Sequence, residues 1–176
     1  MSERTDSFEQ ALIDLLPRLR RFGCSLTGSL DMADDLVQAS CERALTRVHQ
    51  WIPGTRLDSW VFSIMQSIWH NELRSRKVRR GTGLADTEHL VDISAEGQIE
   101  SGLLLGDLEK VFARFPEQQR ALLMLVCVEG YSYKEASEIL EIPIGTVMSR
   151  LSRARLTLAE YMSDFLPEAA PGEGLT

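Results

Sequence analysis

Three arginines, Arg150, Arg153 and Arg155, lie close together in the stretch EIPIGTVMSRLSRARLTL, which spans Glu141 to Leu158 and holds a single acid. Guanidinium groups so spaced can clamp phosphate or read guanine bidentately. Thr146 and Ser149, just upstream, add hydroxyls near a helix start, where backbone N–H groups also suit phosphate. A second basic cluster, RSRKVRR, puts five bases into the seven residues from Arg74 to Arg80. The segment before it carries polar Ser63, Ser67, His70 and Asn71, with Lys77 further along on the same side. Trp51 precedes the Pro-Gly loop IPGTR, and an aromatic beside bases can stack on an unpaired nucleobase, worth about 1–3 kcal/mol. The chemistry on offer is therefore nucleic-acid recognition. The plain alternatives are a solvated arginine face on a helical hairpin, a basic helix end that complements the helix dipole, and tryptophans that belong to a core.

Catalysis finds little support. His49, His70 and His89 share no metal-ligand spacing with each other or with Cys24, Cys41 and Cys127. No glycine-rich phosphate loop and no nucleophile–His–acid pattern occurs. No cofactor is called for. The cysteines form no CxxC pair and fall in helical patterns, as reduced, buried apolar residues would. The N-terminus, MSERTDSFEQ, lacks a signal-peptide core, and no run approaches the ~20 apolar residues of a membrane span. A soluble cytoplasmic protein with no membrane segment of its own is expected.

A net charge of −7 would seem to repel phosphate, but the charge is unevenly placed. Residues 1–83 hold twelve bases against ten acids, a balance of +2. Residues 84–109 hold seven acids and no base. Residues 110–176 hold seven bases and nine acids. That middle segment alone accounts for the whole net charge, and fields are screened within about 8–10 Å at physiological salt. An acidic total does not exclude nucleic acid here.

The acidic segment also divides the chain. Five of the twelve glycines fall between Gly81 and Gly106, and no 3.6-residue periodicity is sustained there. Strand signals are scarce, whereas apolar residues recur at helical spacing: Phe8, Leu12, Leu15, Leu16 and Leu19; Leu36, Val37, Cys41, Ala44, Leu45 and Val48; Trp60, Ile64 and Ile68 beside Val61, Met65 and Trp69. Further on, Leu108, Val111, Phe112 and Phe115 share a helix. Pro116 then opens another, running through Leu122, Leu125, Val126 and Glu129. Ser132 and Glu135 have capping-box spacing and predict a short helix from Tyr133 to about Leu140. The turn Glu141-Ile142-Pro143 leads into a second helix with Val147, Leu151 and Ala154 inward, which describes a helix-turn-helix. The expected fold is all-α: two small helical domains joined by an acidic flexible linker.

These blocks, in this order, resemble bacterial extracytoplasmic-function (ECF) sigma factors of the two-domain minimal type, over about residues 8–162. The likeness rests on LPRLRRFGCSLTGSLDMADDLVQASCERAL and WIPGTRLDSWVFSIMQSIWHNELRSRKVRR in the first block. In the second it rests on FPEQQRALLMLVCVEGYSYKEASEIL and IPIGTVMSRLSRARLTL. The resemblance implies a region 2 domain over residues 1–82, which binds core polymerase and melts the promoter −10 element. It implies an acidic linker over 83–105, a region 4 helix-turn-helix over 106–165 that reads the −35 element, and a disordered tail over 166–176.

By the same resemblance Asp34, Asp35, Leu36 and Gln38 meet the polymerase clamp helices. Trp51, Thr55 and Arg56, in a loop that captures a flipped base, and Ser63, Ser67, His70, Asn71, Arg74 and Lys77 face −10 DNA. Thr146, Met148, Ser149, Arg150, Ser152, Arg153 and Arg155 face −35 DNA, with Arg150 and Arg155 nearer the phosphates. Some positions depart from the family pattern: Met148 stands where a basic residue is common, Ser67 where Asn is, Asn71 where Asp is, and Glu141 where Gly is. The implied partners are core RNA polymerase, promoter DNA and an anti-sigma factor. Rival readings are a stand-alone helix-turn-helix regulator, which leaves the first block unexplained, and a sigma-like decoy that captures an anti-sigma factor.

Overall fold

The computed structural model describes residues 2–79, 81 and 114–165. The acidic linker, the tail, and the helix expected around Leu108 to Phe112 lie outside the described residues. Every regular element among those described is helical.

The first lobe has three helices. In α1, Ser2–Thr27, the residues Phe8, Leu12, Leu19, Phe22 and Leu26 recur at helical spacing and are buried. Pro17 sits in this helix on its solvent side, and Ile13, one turn earlier, is exposed as well. Ser29 caps α2, Leu30–Thr46, accepting a hydrogen bond from the Met32 N–H. Gly23 lets α1 and α2 approach closely, since a Cβ there would lie 3.2 Å from that of Ala33. A turn of 3₁₀ helix, Val48–Gln50, leads through the Pro-Gly loop to α3, Leu57–Arg79. This helix buries Val61, Phe62, Ile64, Met65 and Trp69.

The second lobe begins with Pro116 at the N-cap of α4, Glu117–Leu123. Sequence periodicity carries this helix through Glu129, but at Met124–Val128 the backbone widens into a π turn and the helix stops. The Glu129 N–H donates to the Met124 carbonyl at 2.9 Å, and Gly130, at φ +74°, reverses the chain. The wider turn displaces Glu129 from the apolar face of α4. It also leaves Cys127 exposed rather than buried, while Cys24 and Cys41 are half-buried.

The capping box forms as expected: the Ser132 hydroxyl accepts from the Glu135 N–H, and the Glu135 carboxylate accepts from the Ser132 N–H. It starts α5, Tyr133–Leu140. Glu141 then adopts the left-handed region at φ 53°, the one described non-glycine residue to do so. The Ser137 hydroxyl, donating to the Ile142 carbonyl at 2.6 Å, closes the turn into α6, Ile144–Phe165. Glu141→Gly should therefore stabilise the chain by about 1 kcal/mol, as the left-handed penalty disappears. Chemical denaturation reads this, and an unchanged midpoint would count against strain at the turn.

The lobes do not stand apart. α4 packs on α1 and α5 packs on α3. Phe22, Phe62 and Tyr131 stack in series, with centroids 4.7 Å and 6.0 Å apart. A single hydrophobic core runs from Phe8 in the first lobe to Ala154 in the second. The two helical lobes expected from the sequence are present, and the apolar faces of α1 and α3 are wide enough to pack on each other and on the second lobe as well.

Candidate nucleic-acid interface

The helix-turn-helix displays the row that its sequence promised. Val147, Leu151 and Ala154 bury the inner face of α6 against α5, which turns the other side outward. Met148, Ser149, Ser152, Arg153 and Arg155 are exposed, and Thr146 and Arg150 are half-buried. Arg155 is braced by the Tyr133 hydroxyl, which accepts from Nη2 at 2.7 Å. Ser149 and Thr157 hydroxyls donate back to the helix carbonyls of Thr146 and Arg153. The result is a convex strip of two braced or flanked guanidiniums and short hydroxyls, with apolar Met148 at 50% exposure among them. Such a strip fits a DNA groove, with arginine for bases or phosphate and a thioether for a thymine methyl.

The α3 face is built differently. Ser67, His70, Asn71 and Arg74 are exposed, and Ser63 and Lys77 half-buried, at spacings of three and four that make one stripe. Arg56, at the entrance to α3, donates to both oxygens of Asp58 at 3.3 and 3.0 Å. Its guanidinium lies 4.0 Å over the Tyr131 ring and also bonds Glu135 at 3.1 Å, so two of its contacts belong to the second lobe. Thr55 is exposed, its hydroxyl turned back to the Ile52 carbonyl. Trp51 is half-buried and packs on Phe8 with centroids 5.5 Å apart. Part of its ring is thus in the core instead of being free to stack on a base. Trp60 also packs on Phe8, and Trp69 is buried, as core residues should be.

His70 senses both lobes. Desolvation holds its imidazole pKa below the ordinary value; Arg74 and Arg150 push the same way, while Glu141 opposes them. A ring nitrogen lies 2.8 Å from Gln66 Nε2. The packing of α5 on α3 places the helix-turn-helix beside the α3 stripe.

On α2, Asp34, Asp35 and Gln38 are exposed. Arg20 grips Asp34 through two hydrogen bonds, at 2.7 and 3.0 Å, and Gln38 bonds Glu42 at 3.1 Å. Leu36 does not join this surface: at 5% exposure it is a core residue, because its helical position faces α3. It contributes instead to the floor of a cavity of about 260 Å³ between α2 and α3, beside Met32, Asp35, Ile68 and Trp69. The groove offers apolar depth with a carboxylate rim, a shape suited to protein contact.

Arg18, Asp58, Glu129 and Tyr131 form a cluster that the sequence does not advertise. Arg18 donates to Asp58 at 2.7 Å and to Glu129 at 2.6 Å, although Glu129 lies 111 positions away. Burial pulls the Asp58 carboxyl upward, but hydrogen bonds from Arg56 and Arg18 win and hold it well below the usual carboxylate range. Burial and the facing Asp58 raise the Tyr131 phenol. Nearby, the Trp69 indole donates to Glu117 at 2.8 Å, and burial raises the Glu117 carboxyl. No spacing rule pairs residues this far apart, and α1 carries Arg20 and Arg21 beside Arg18 with nothing in the pattern to single one out.

Two family models match, "Sigma-70, region 4" over residues 105–158 and "Sigma2 domain of PhyR" over residues 12–66. The ECF RNA polymerase sigma factor EcfG of Rhodopseudomonas palustris is 32% identical over 169 residues, covering 93% of this chain and 92% of that protein. Among solved structures, the sigma factor RpoE of Bartonella quintana, in complex with the anti-sigma factor NepR, is 31% identical. It superposes with TM-score 0.69 over 89% of this chain and 97% of that one. The PhyRSL–NepR complex from Sphingomonas sp. Fr1, at 22% identity, shares the fold, with TM-score 0.61 over 95% and 96% of the two chains. Among the described residues no helix is long and apolar enough to cross a membrane.

Proposed function

The chain belongs to the ECF RNA polymerase sigma factors, and from that premise we propose that it binds core polymerase and directs initiation at promoters whose −35 element is read by α6 and whose melted −10 element is held by α3. It is a transcription initiation factor, not an enzyme; catalysis resides in the polymerase, so the protein works in the cytoplasm. The observation that carries this reading is the outward strip of Ser149, Ser152, Arg153 and Arg155 on a helix-turn-helix matched to sigma region 4. Residues 1–82 serve as the polymerase- and −10-binding unit, residues 106–165 as the −35 unit, and 83–105 as the connection.

Within that scheme Asp34, Asp35 and Gln38 present the polymerase-facing edge of α2. Arg56, Ser63, Ser67, His70, Asn71, Arg74 and Lys77 contact the −10 strand. Trp51 contributes through the part of its side chain that the core leaves open. A NepR-like anti-sigma factor is the inhibitor class that the RpoE likeness supports. A second reading, capture of an anti-sigma factor without transcription, draws on the match of residues 12–66 to the PhyR model. It does not account for the exposed arginine strip.

Transcription with purified core polymerase on genomic promoter fragments tests the proposal. Initiation is expected at discrete start sites that vanish when the protein is withheld; a decoy gives none. Arg153→Ala should weaken binding to the cognate −35 duplex by about 1–3 kcal/mol and relax one base preference. Equal weakening on every sequence would make Arg153 a phosphate contact.

A further inference from the structure

We propose that Gln66 is a positioning residue for −10 recognition: it fixes the tautomer of His70, so that the ring offers an Nδ1–H donor to an acceptor on the −10 strand, a base edge or a phosphate oxygen. The inference rests on the sigma-factor reading, which places His70 against that strand, and names what the ring meets there. Gln66 and His70 stand one turn apart on α3, with Gln66 buried and His70 exposed in the polar stripe. The Gln66 Nε2 lies 2.8 Å from the His70 Nε2. Two nitrogens at that distance need one proton between them. The amide nitrogen always carries hydrogens, so it donates and the ring Nε2 accepts. The single proton of a neutral imidazole is then left on Nδ1.

Packing alone gives Gln66 no reason to be an amide. It is 6% exposed, on a helix whose buried residues after the first turn are otherwise Val61, Phe62, Ile64, Met65 and Trp69. Its Oε1 is buried without a hydrogen-bond partner among the described residues. A buried carbonyl left so costs stability, whereas an apolar side chain of the same shape would not. Among the described residues, the hydrogen bond its side chain does make is the one to His70. Desolvation, with Arg74 of α3 and Arg150 of α6, disfavours a second proton on the ring and outweighs Glu141 in the turn before α6. The His70 pKa therefore stays below its ordinary value, near 6.5, and at pH 8 the ring carries one proton.

Nitrogen NMR of the full chain with labelled histidine, at pH 8, reads the tautomer, and His70→Asn identifies the signal. An Nδ1–H ring is expected, and an Nε2–H ring overturns the inference whether or not any variant folds. Gln66→Met keeps the bulk of the side chain without its amide. It is expected to melt no lower than the wild type and to weaken the Nδ1–H signature. Initiation by reconstituted holoenzyme, on a promoter library randomised across the −10 element, reads the consequence. Gln66→Met and His70→Gln are expected to lose about three- to tenfold. His70→Asn, whose amide nitrogen stands where Nδ1 does, is expected to keep most of the wild-type activity. Loss confined to one position, with a changed base preference, identifies the acceptor as a base edge. Equal loss on every sequence identifies a phosphate oxygen. Unchanged initiation in Gln66→Met overturns the inference, and so does a lower melting point with the tautomer unaltered, the behaviour of a packing residue. An Nε2–H ring in a holoenzyme that initiates normally sinks the inference alone, whereas a wild-type protein that supports no initiation sinks the sigma reading with it.

Discussion

Phe62→Ala is expected to destabilise the protein by about 3–5 kcal/mol, the cost of an emptied aromatic site in a core that cannot fully collapse. The ring is completely buried and lies between Phe22 and Tyr131, with Arg18 5.8 Å from its centroid. Its loss therefore opens a hole where α1, α3 and the second lobe meet. Urea denaturation followed by circular dichroism reads the change. A cost below about 1 kcal/mol would mean that the three elements close the gap by themselves, which their contacts with other residues oppose.

Asp58→Asn should cost about 2–3 kcal/mol at neutral pH, because Arg18 loses a charged partner beside a buried cluster. The Arg56 contribution is smaller, since that side chain is 47% exposed and screened by solvent. The pH dependence has a definite sign. The folded-state carboxyl titrates below its ordinary value. Its stabilisation is therefore complete above the unfolded-state pKa, near 3.9, and is lost as pH falls through the lower folded-state value. The stability gap between wild type and Asp58→Asn should be widest at pH 7 and should shrink below about pH 4. Equal gaps at pH 7 and pH 3 would show that a shape change, not the charge, sets the cost.

Local rules of sequence account for much of the molecule. The capping box at Ser132 and Glu135, the left-handed Glu141 and the inward Val147, Leu151 and Ala154 each follow from residues within a turn or two of one another. The outward arginine strip follows from the same periodicity. Sequence distance explains what was not legible. Arg18 and Glu129 are paired across 111 positions, and a helical pattern says which side of α1 is apolar without saying what will lie on it. Leu36 shows a related limit. It neighbours Asp35 in the motif expected to meet polymerase, yet it shares the buried face of α2 with Ala33, Ser40 and Ala44, and that face decides its place. The π turn was hidden because Leu122, Leu125 and Val126 keep an α-like spacing through the very place where the backbone widens.

The seam between the lobes is lined by guanidinium, carboxylate, indole and phenol groups beside its apolar rings. Were the seam to part, those polar groups would exchange one another for water. A seam made wholly of leucine would hold more tightly but would leave bare hydrocarbon on separation, which invites aggregation. Arg18, Arg56, Glu117, Glu129 and Tyr131 thus give this seam a polar content that an all-aliphatic helix packing lacks.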